Sequence, residues 1–300
     1  MDFEITAIKE INSKIDTEIS SIIFDGQIHR FGHKNQSWYK AYIYNQDGKN
    51  YYYIRFGNWK NGVKYDLKSW ENKSENNGFN NLMEEKLKQQ KEKSKKENEE
   101  KYLKCIEKWF PIWEKAQSNI LHGYLKSKSV SNPFCSRIET DDVLLIPAYN
   151  KHGFVGVQRI FKLNGEYVKR FSFGMNKNGA ICPLKKFKNS KYCYLAEGYA
   201  TASTIQEIFN DVPVIVSFDA GNICNAIKTI REINPFIKII IAADNDIESK
   251  TGLKYAQKAV RIYSDVSYRL PVFNTYSSLT DFNDLYVSEG KQKVMDILKI

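Results

Sequence analysis

From residue 192 onward the apolar positions come in short unbroken runs, each ending on an acidic side chain. Tyr192-Cys193-Tyr194-Leu195-Ala196 stops at Glu197-Gly198, Val214-Ile215-Val216-Ser217-Phe218 at Asp219, and Ile237-Lys238-Ile239-Ile240-Ile241-Ala242-Ala243 at Asp244-Asn245-Asp246. The stretches between them, residues 201–209, 222–233 and 252–263, have helix length. Strand-helix-strand alternation predicts parallel strands joined by right-handed crossovers. Ligands of such sheets bind beyond the carboxyl ends of the strands, so Glu197, Asp219, Asp244 and Asp246 are expected along one rim. A weaker run over 266–273 leads to Asp281-Phe282-Asn283-Asp284, and Leu285, Val287, Val294, Ile297 and Leu298 suit a closing helix.

Upstream the pattern falls into five stretches. Isoleucines 5, 8, 11, 15, 19 and 22 recur at three- and four-residue steps, which predicts a helix over residues 5–23. Residues 24–70 alternate in short strands with turn signals at Asp25-Gly26, Asp47-Gly48 and Asn61-Gly62. Residues 80–101 are Lys, Glu, Gln and Asn with almost no apolar side chain after Leu87, which reads as a solvated helix and an inter-domain boundary. Tyr102, Cys105, Ile106, Trp109, Ile112, Trp113 and Ala116 return to helical spacing, with Pro111 expected to kink or restart the helix. Residues 143–147, 153–161 and 167–173 then read as an antiparallel sheet carrying Arg159, Lys162, Lys169 and Arg170, with Lys177 in the loop that follows. The expected organisation is an aromatic and basic β module over 1–79, a charged linker and docking helix over 80–118, a basic β unit over 119–188, and a parallel α/β domain over 189–300.

Composition sharpens this picture in two places. Formal net charge is +10, from 45 basic and 35 acidic residues, a surplus that favours a polyanionic partner. The β module also crowds aromatics among basic residues, as surfaces that stack bases and track phosphates do; a small β core that needs rings merely to pack is the competing explanation. The five cysteines, Cys105, Cys135, Cys182, Cys193 and Cys224, include no C-x-x-C pair, so no zinc is expected and buried thiols are the default. His29 and His33 fall in a strand or turn rather than on a helix, which argues against a metal pair. No apolar run approaches the ~20 residues of a membrane helix. The start Met1-Asp2-Phe3-Glu4 lacks a signal-peptide pattern, and the expectation is a cytoplasmic protein with no membrane partner.

The chemistry lies in the acidic tips. A helix-capping role is open for Asp219. Asp244 and Asp246, two residues apart, repel each other unless a cation sits between them, and a hard divalent ion takes such oxygen ligands together with water and substrate phosphate. Metal-assisted phosphoryl transfer follows as a reaction class, with synthesis and cleavage both open. No G-x-x-x-x-G-K-[ST] phosphate loop occurs, so no helicase motor is encoded in these residues.

Strand, Glu197-Gly198-Tyr199-Ala200-Thr201-Ala202, Phe218-Asp219-Ala220-Gly221-Asn222, Asp244-Asn245-Asp246 and Asp281-Phe282-Asn283-Asp284 together resemble the TOPRIM domain of bacterial-type primases, topoisomerases and some nucleases. The nearest likeness is to primases of plasmids, phages and integrative elements. That resemblance implies a Rossmann-like TOPRIM sheet preceded by the antiparallel β unit. It implies Glu197 as acid/base, and Mg2+ or Mn2+ held by Glu197, Asp244 and Asp246 with Asp281 assisting. It also implies Arg159, Lys169, Arg170 and Lys177 as cations for nucleotide and template, with His122 to Val130 resembling the segment that opens the catalytic core. Single-stranded DNA and nucleoside triphosphates are the implied partners, with a separate replicative helicase or initiator beside them. Cellular replicative primases carry Asp four residues after the Glu; here that position is Thr201, which leaves the number of metals open. A TOPRIM nuclease and a non-catalytic single-stranded DNA-binding accessory protein are the alternatives.

Overall fold

The computed structural model describes residues 3–15, 17–59, 62–70, 77–140, 142–246, 250–274 and 279–299, apart from the side chains of 77–80 and 83. The chain divides into two compact units, Met1–Ser94 and Lys95–Ile300.

In the first unit, helix α1 (Phe3–Ile15) precedes a four-stranded antiparallel meander of β1 (His29–Phe31), β2 (Ser37–Gln46), β3 (Lys49–Asn58) and β4 (Lys64–Lys68), in that spatial order. Asp47 and Gly48, with φ of 51° and 72°, make the tight turn between β2 and β3, the conformation that Asp-Gly favours there. The expected turn at Asn61-Gly62 falls partly on Asn61, outside the described residues.

The isoleucine stripe does not form one helix. α1 ends at Ile15, and the chain returns along it because Asn12 holds Ile19 from both sides: its Nδ2 donates to the Ile19 carbonyl (3.1 Å) and its Oδ1 accepts from the Ile19 N–H (2.8 Å). Glu4 likewise accepts from the Ile22 N–H. Ile11 and Ile22 therefore share one core with Tyr39, Ala41, Ile54 and Phe56, although only Ile11 is helical.

Alternation along β2 and β3 sends the other rings to the opposite face. There Tyr53 and Trp70 pack with Leu87 of helix α2 (Asn77–Lys115), flanked by Tyr42, Tyr44 and Tyr51. Most of the aromatic surplus is thus consumed by two small cores, one on each face of the sheet. Trp59 is the exposed exception, stacked on Trp38 with the Arg30 guanidinium 4.8 Å above its ring.

Helix α2 runs without a break through Pro111, so the helix does not restart there. Proline removes one N–H and crowds the preceding turn. The docked tryptophans on either side, Trp109 and Trp113, are both buried and hold that turn in place.

The second unit contains two five-stranded sheets. The antiparallel one is built from β5 (Gln117–Ser118), β6 (Arg137–Thr140), β7 (Val143–Asn150), β8 (Gly153–Leu163) and β9 (Glu166–Phe171), in that order, with the short helix α3 (Gly123–Ser127) between β5 and β6. The other has the order β10-β12-β11-β13-β14: β10 (Cys182–Pro183), β11 (Tyr192–Ala196), β12 (Val214–Val216), β13 (Lys238–Ala242) and β14 (Val266–Arg269). All neighbours in it are parallel except β10, which runs against β12.

Helices α4 (Tyr199–Ile208), α5 (Ile223–Ile233), α6 (Thr251–Ile262) and α7 (Phe282–Leu298) cover the parallel sheet on both faces. The strands alternate accordingly. Tyr194, Ala196, Val214, Val216, Ile240 and Ala242 face α4, α7 and the antiparallel sheet, whereas Cys193, Leu195, Ile215, Ile239 and Ile241 face α5 and α6. Strands buried on both sides read as unbroken apolar runs, which is the pattern the sequence shows. The fold is α/β, a doubly wound parallel sheet preceded by an antiparallel β unit. Among the described residues no helix is long and apolar enough to cross a membrane.

Candidate active site at the carboxyl edge of the parallel sheet

β11 and β13 are adjacent and in register, Ala196 beside Ala242. Their next polar residues, Glu197 and Asp244, therefore leave the sheet at the same edge. β12 flanks β11 on its other side and continues through Phe218, whose φ of 69° turns the chain sharply, to Asp219. Crossovers leave β11 and β13 toward opposite faces of the sheet, the arrangement that opens a crevice in this class of fold.

Electrostatics show how close the carboxylates stand. Burial, followed by the charge of Asp219, pushes the Glu197 carboxyl up to about 7; the Lys169 ammonium and a hydrogen bond from the Ala220 backbone work against that rise. Burial, then Glu197, Asp281 and Asp246, push Asp244 up to about 8, again opposed by Lys169. Five acidic groups thus share one region, and the Lys169 ammonium opposes both raised carboxyls. That is a site short of positive charge.

Each carboxylate is held differently. Asp219 caps the turn Ala220–Asn222, its Oδ1 accepting from the Asn222 N–H at 3.0 Å, so the capping role is real even though its charge also reaches Glu197. Asp281 caps α7 by accepting from the Asp284 N–H (2.9 Å), and its other oxygen accepts from the Thr201 hydroxyl (3.1 Å). Thr201 thus supplies a donor to Asp281 where the resemblance expected another acid. Asp244 is pressed by Gly252: a Cβ there would lie 2.7 Å from the Asp244 carbonyl oxygen and 3.2 Å from its Cβ. Asn245 is structural, its N–H donating to Thr280 and its side chain to Pro271.

The basic candidates separate by strand register. On β9, Lys169 lies opposite Ile160 of β8, and Arg170 lies opposite Arg159. Neighbouring residues of a strand face opposite ways. Lys169 and Phe171 point toward the parallel sheet. The Lys169 ammonium lies 4.0 Å from where a Cβ would sit on Gly198, and Phe171 meets Phe218 edge-on. Lys177 lies over the Phe171 ring at 5.0 Å, placing it on the same side. Arg159 and Arg170 point the other way, and the Arg159 guanidinium stacks over Trp109 of α2 at 5.2 Å. The structure therefore brings Lys169 to the carboxylates, places Lys177 over Phe171 on the same face of the sheet, and keeps Arg159 and Arg170 on the far face.

Two supports escape a reading for acids and bases. Asn222 donates to the Ala180 and Ser217 carbonyls and accepts from the Gly179 N–H, tying the loop after β9 to the tip of β12. Asn283 donates to the Lys128 carbonyl and to the Thr204 hydroxyl, tying α7 to α4 and to the segment after α3. Both amides are buried yet stand in polar stretches of sequence, Asp219-Ala220-Gly221-Asn222 and Asp281-Phe282-Asn283-Asp284, so no break in an apolar pattern flags them.

Among the described residues no three His, Cys, Asp or Glu side chains stand close enough to hold a metal ion as they are placed. The carboxylates nevertheless feel one another's charge, Glu197 that of Asp219 and Asp246, and Asp244 that of Glu197, Asp281 and Asp246. Their donor set consists of carboxylate oxygens, which suits a hard divalent cation, and the raised pKa values of Glu197 and Asp244 mark charge that such an ion would neutralise.

Fold and site define a doubly wound α/β domain with an acidic crevice at its topological switch point. Residues 192–292 match the family model described as Toprim domain. Solved structures similar to the chain include the primase fragment of the bacteriophage T7 primase-helicase protein, at 16% identity and TM-score 0.40, covering 52% of this chain and 62% of that one. The RNA polymerase domain of Mycobacterium tuberculosis primase DnaG is similar at 15% identity and TM-score 0.37, covering 54% and 56%. A DnaG primase catalytic domain bound to single-stranded DNA is similar at 12% identity and TM-score 0.35, covering 52% and 53%. The chain thus spans little more than half the length of these structures, and overlap at this level decides nothing about activity.

Proposed function

We propose that the chain is a primase-like nucleotidyltransferase, joining nucleoside triphosphates on single-stranded DNA during replication of a plasmid, phage or integrated element. The observation that supports this best is the pairing of Glu197 with Asp244 at adjacent strand ends, both carboxyls raised toward neutrality, with Lys169 reaching them from the antiparallel sheet.

Glu197, Asp244 and Asp246 would hold Mg2+ or Mn2+, with Asp281 beside them. Bound there, the cation supplies charge stabilisation on the attacking and leaving oxygens of an in-line displacement. Glu197 takes the proton of the attacking 3′ hydroxyl as general base. The new bond joins the 3′ oxygen to the α-phosphorus, the bond from that phosphorus to the β-phosphate oxygen breaks, and pyrophosphate leaves. Lys169 and Lys177 steady the triphosphate; Arg159 and Arg170, on the far face, are assigned no contact with it. A separate helicase or initiator would deliver the template.

Incubation with single-stranded DNA, labelled nucleotides and Mg2+ or Mn2+ tests the reading. Short oligonucleotides are expected, and Glu197→Gln and Asp244→Asn should abolish them. Absence of product across varied templates overturns it. Loss of intact DNA without added nucleotides assigns the same carboxylates to a nuclease, with water as nucleophile.

A further inference from the structure

The opposite edge of the parallel sheet carries features that the carboxylate site does not use. β11 begins at Tyr192 and β13 at Lys238, directly paired, about five residues and thus roughly 16 Å along the strand from Glu197. Here a groove of about 380 Å³ is lined by Asn189, Lys191, Tyr192, Phe236 and Lys238 among others, with no acidic side chain in its lining. Phe236 stands 92% exposed in the turn before β13, its ring part of the groove lining. The Lys238 ammonium lies over the Tyr192 ring at 5.8 Å.

The rim of the groove is rigid. Asn234, itself buried, donates to the carbonyls of Phe187 (3.0 Å) and Ser190 (2.9 Å), and the Phe187 ring is anchored in the core. The intervening turn, Lys185-Lys186-Phe187-Lys188-Asn189-Ser190-Lys191, therefore holds its lysines outward on a fixed frame. Lys185 is tied to Asn210. Among the described residues Lys186, Lys188, Lys191 and Lys238 form no ion pair.

We infer that this groove is a second binding site, for single-stranded nucleic acid, with a base stacked on Phe236 and the flanking phosphates held by Lys191 and Lys238. An exposed ring between cations, with amide groups beside it, is the combination that single strands use: stacking tolerates any base, and cations follow the backbone. An acidic peptide would use the lysines but has no need of the bare ring. The distance from Glu197 separates this strand from the nucleotide at the carboxylates, so the site serves to hold nucleic acid rather than to react with it. The inference stands independently of the primase reading.

Binding of a fluorescent oligothymidylate, about 15 nucleotides long, to the full chain in chelator tests it by anisotropy across salt concentrations. Lys191→Ala/Lys238→Ala should weaken binding about tenfold and lower the log-log salt slope by about 1.4, the value for two single-strand phosphates. Phe236→Ala should weaken it at least about fivefold with the slope unchanged, since stacking is not ionic. Photo-crosslinks from 5-iodouracil in the same oligonucleotide should map to the peptide carrying Phe236. Circular dichroism identical to the parent shows that each variant is folded. Unchanged affinity and slope in the folded variants, crosslinks confined to other segments, or a Glu-rich peptide bound where the oligonucleotide is not, each overturns the inference. Loss of primer synthesis with this binding intact would count against the primase reading alone.

Discussion

Replacing Asp244 with asparagine should make the metal-free protein more stable, increasingly so as pH rises. Burial and the charges of Glu197, Asp281 and Asp246 push the Asp244 carboxyl from 3.8 to about 8. A carboxyl whose folded-state pKa lies above its unfolded value binds its proton more tightly in the native protein. Its contribution is therefore complete below pH ~4 and is lost as pH climbs toward ~8. At about 1.4 kcal/mol per unit, a span of about four units sets a ceiling of roughly 5–6 kcal/mol. Residual solvent contact and the repulsion shared with Glu197 reduce this to about 2–3 kcal/mol at pH ~8, falling to roughly a third to a half of that at pH ~5. For a unit of this size the gain corresponds to about 5–10 °C in Tm. Calorimetry of chelator-treated wild type and Asp244→Asn at both pH values measures it, and excess Mg2+ should then raise the wild type alone. A variant no more stable than wild type at the higher pH, or a gap independent of pH, would refute the electrostatic account of the site.

Three further outcomes follow from the geometry. Lys169→Met should lower nucleotidyl transfer more than about tenfold and Arg170→Met less than about threefold, because only the first faces the carboxylates; steady-state assays with each variant decide, and equal losses would contradict the register argument. Gly252→Ala should displace Asp244, costing about 1–3 kcal/mol of stability by denaturant titration and most of the activity, since a contact of 2.7 Å to backbone has no room to relax. Asn222→Ala should destabilise the second unit by about 2–4 kcal/mol in urea, because it strands two buried carbonyls and one N–H.

The parallel domain was legible because its strands are buried on both faces, so each appears as a solid apolar run whose end is marked by the first polar residue. Glu197, Asp219 and Asp244 were visible at strand tips for that reason. The amino-terminal helix was overextended because Asn12 and Glu4 satisfy the backbone of residues 19 and 22 through side chains, which leaves the isoleucine spacing unchanged while the chain reverses. The aromatic strands suggested a surplus of rings because the sequence does not reveal that α2 covers the second face of the sheet. The four basic candidates looked equivalent along the chain, and the pleat alone divides them, which becomes visible once Arg170 is seen opposite Arg159.

That pleat makes the hairpin between β8 and β9 unusually intolerant of length change. Deleting one residue at Asn164-Gly165 while the two strands stay paired would rotate every side chain of β9 by half a turn. A guanidinium would then enter the acidic crevice and the ammonium would move out beside the tryptophans. Composition, net charge and hydropathy would be almost untouched, yet the cation reaching Glu197 would be a wider, flatter group with a different reach. Substitutions along this ribbon adjust the site by degrees; insertions and deletions exchange it for another.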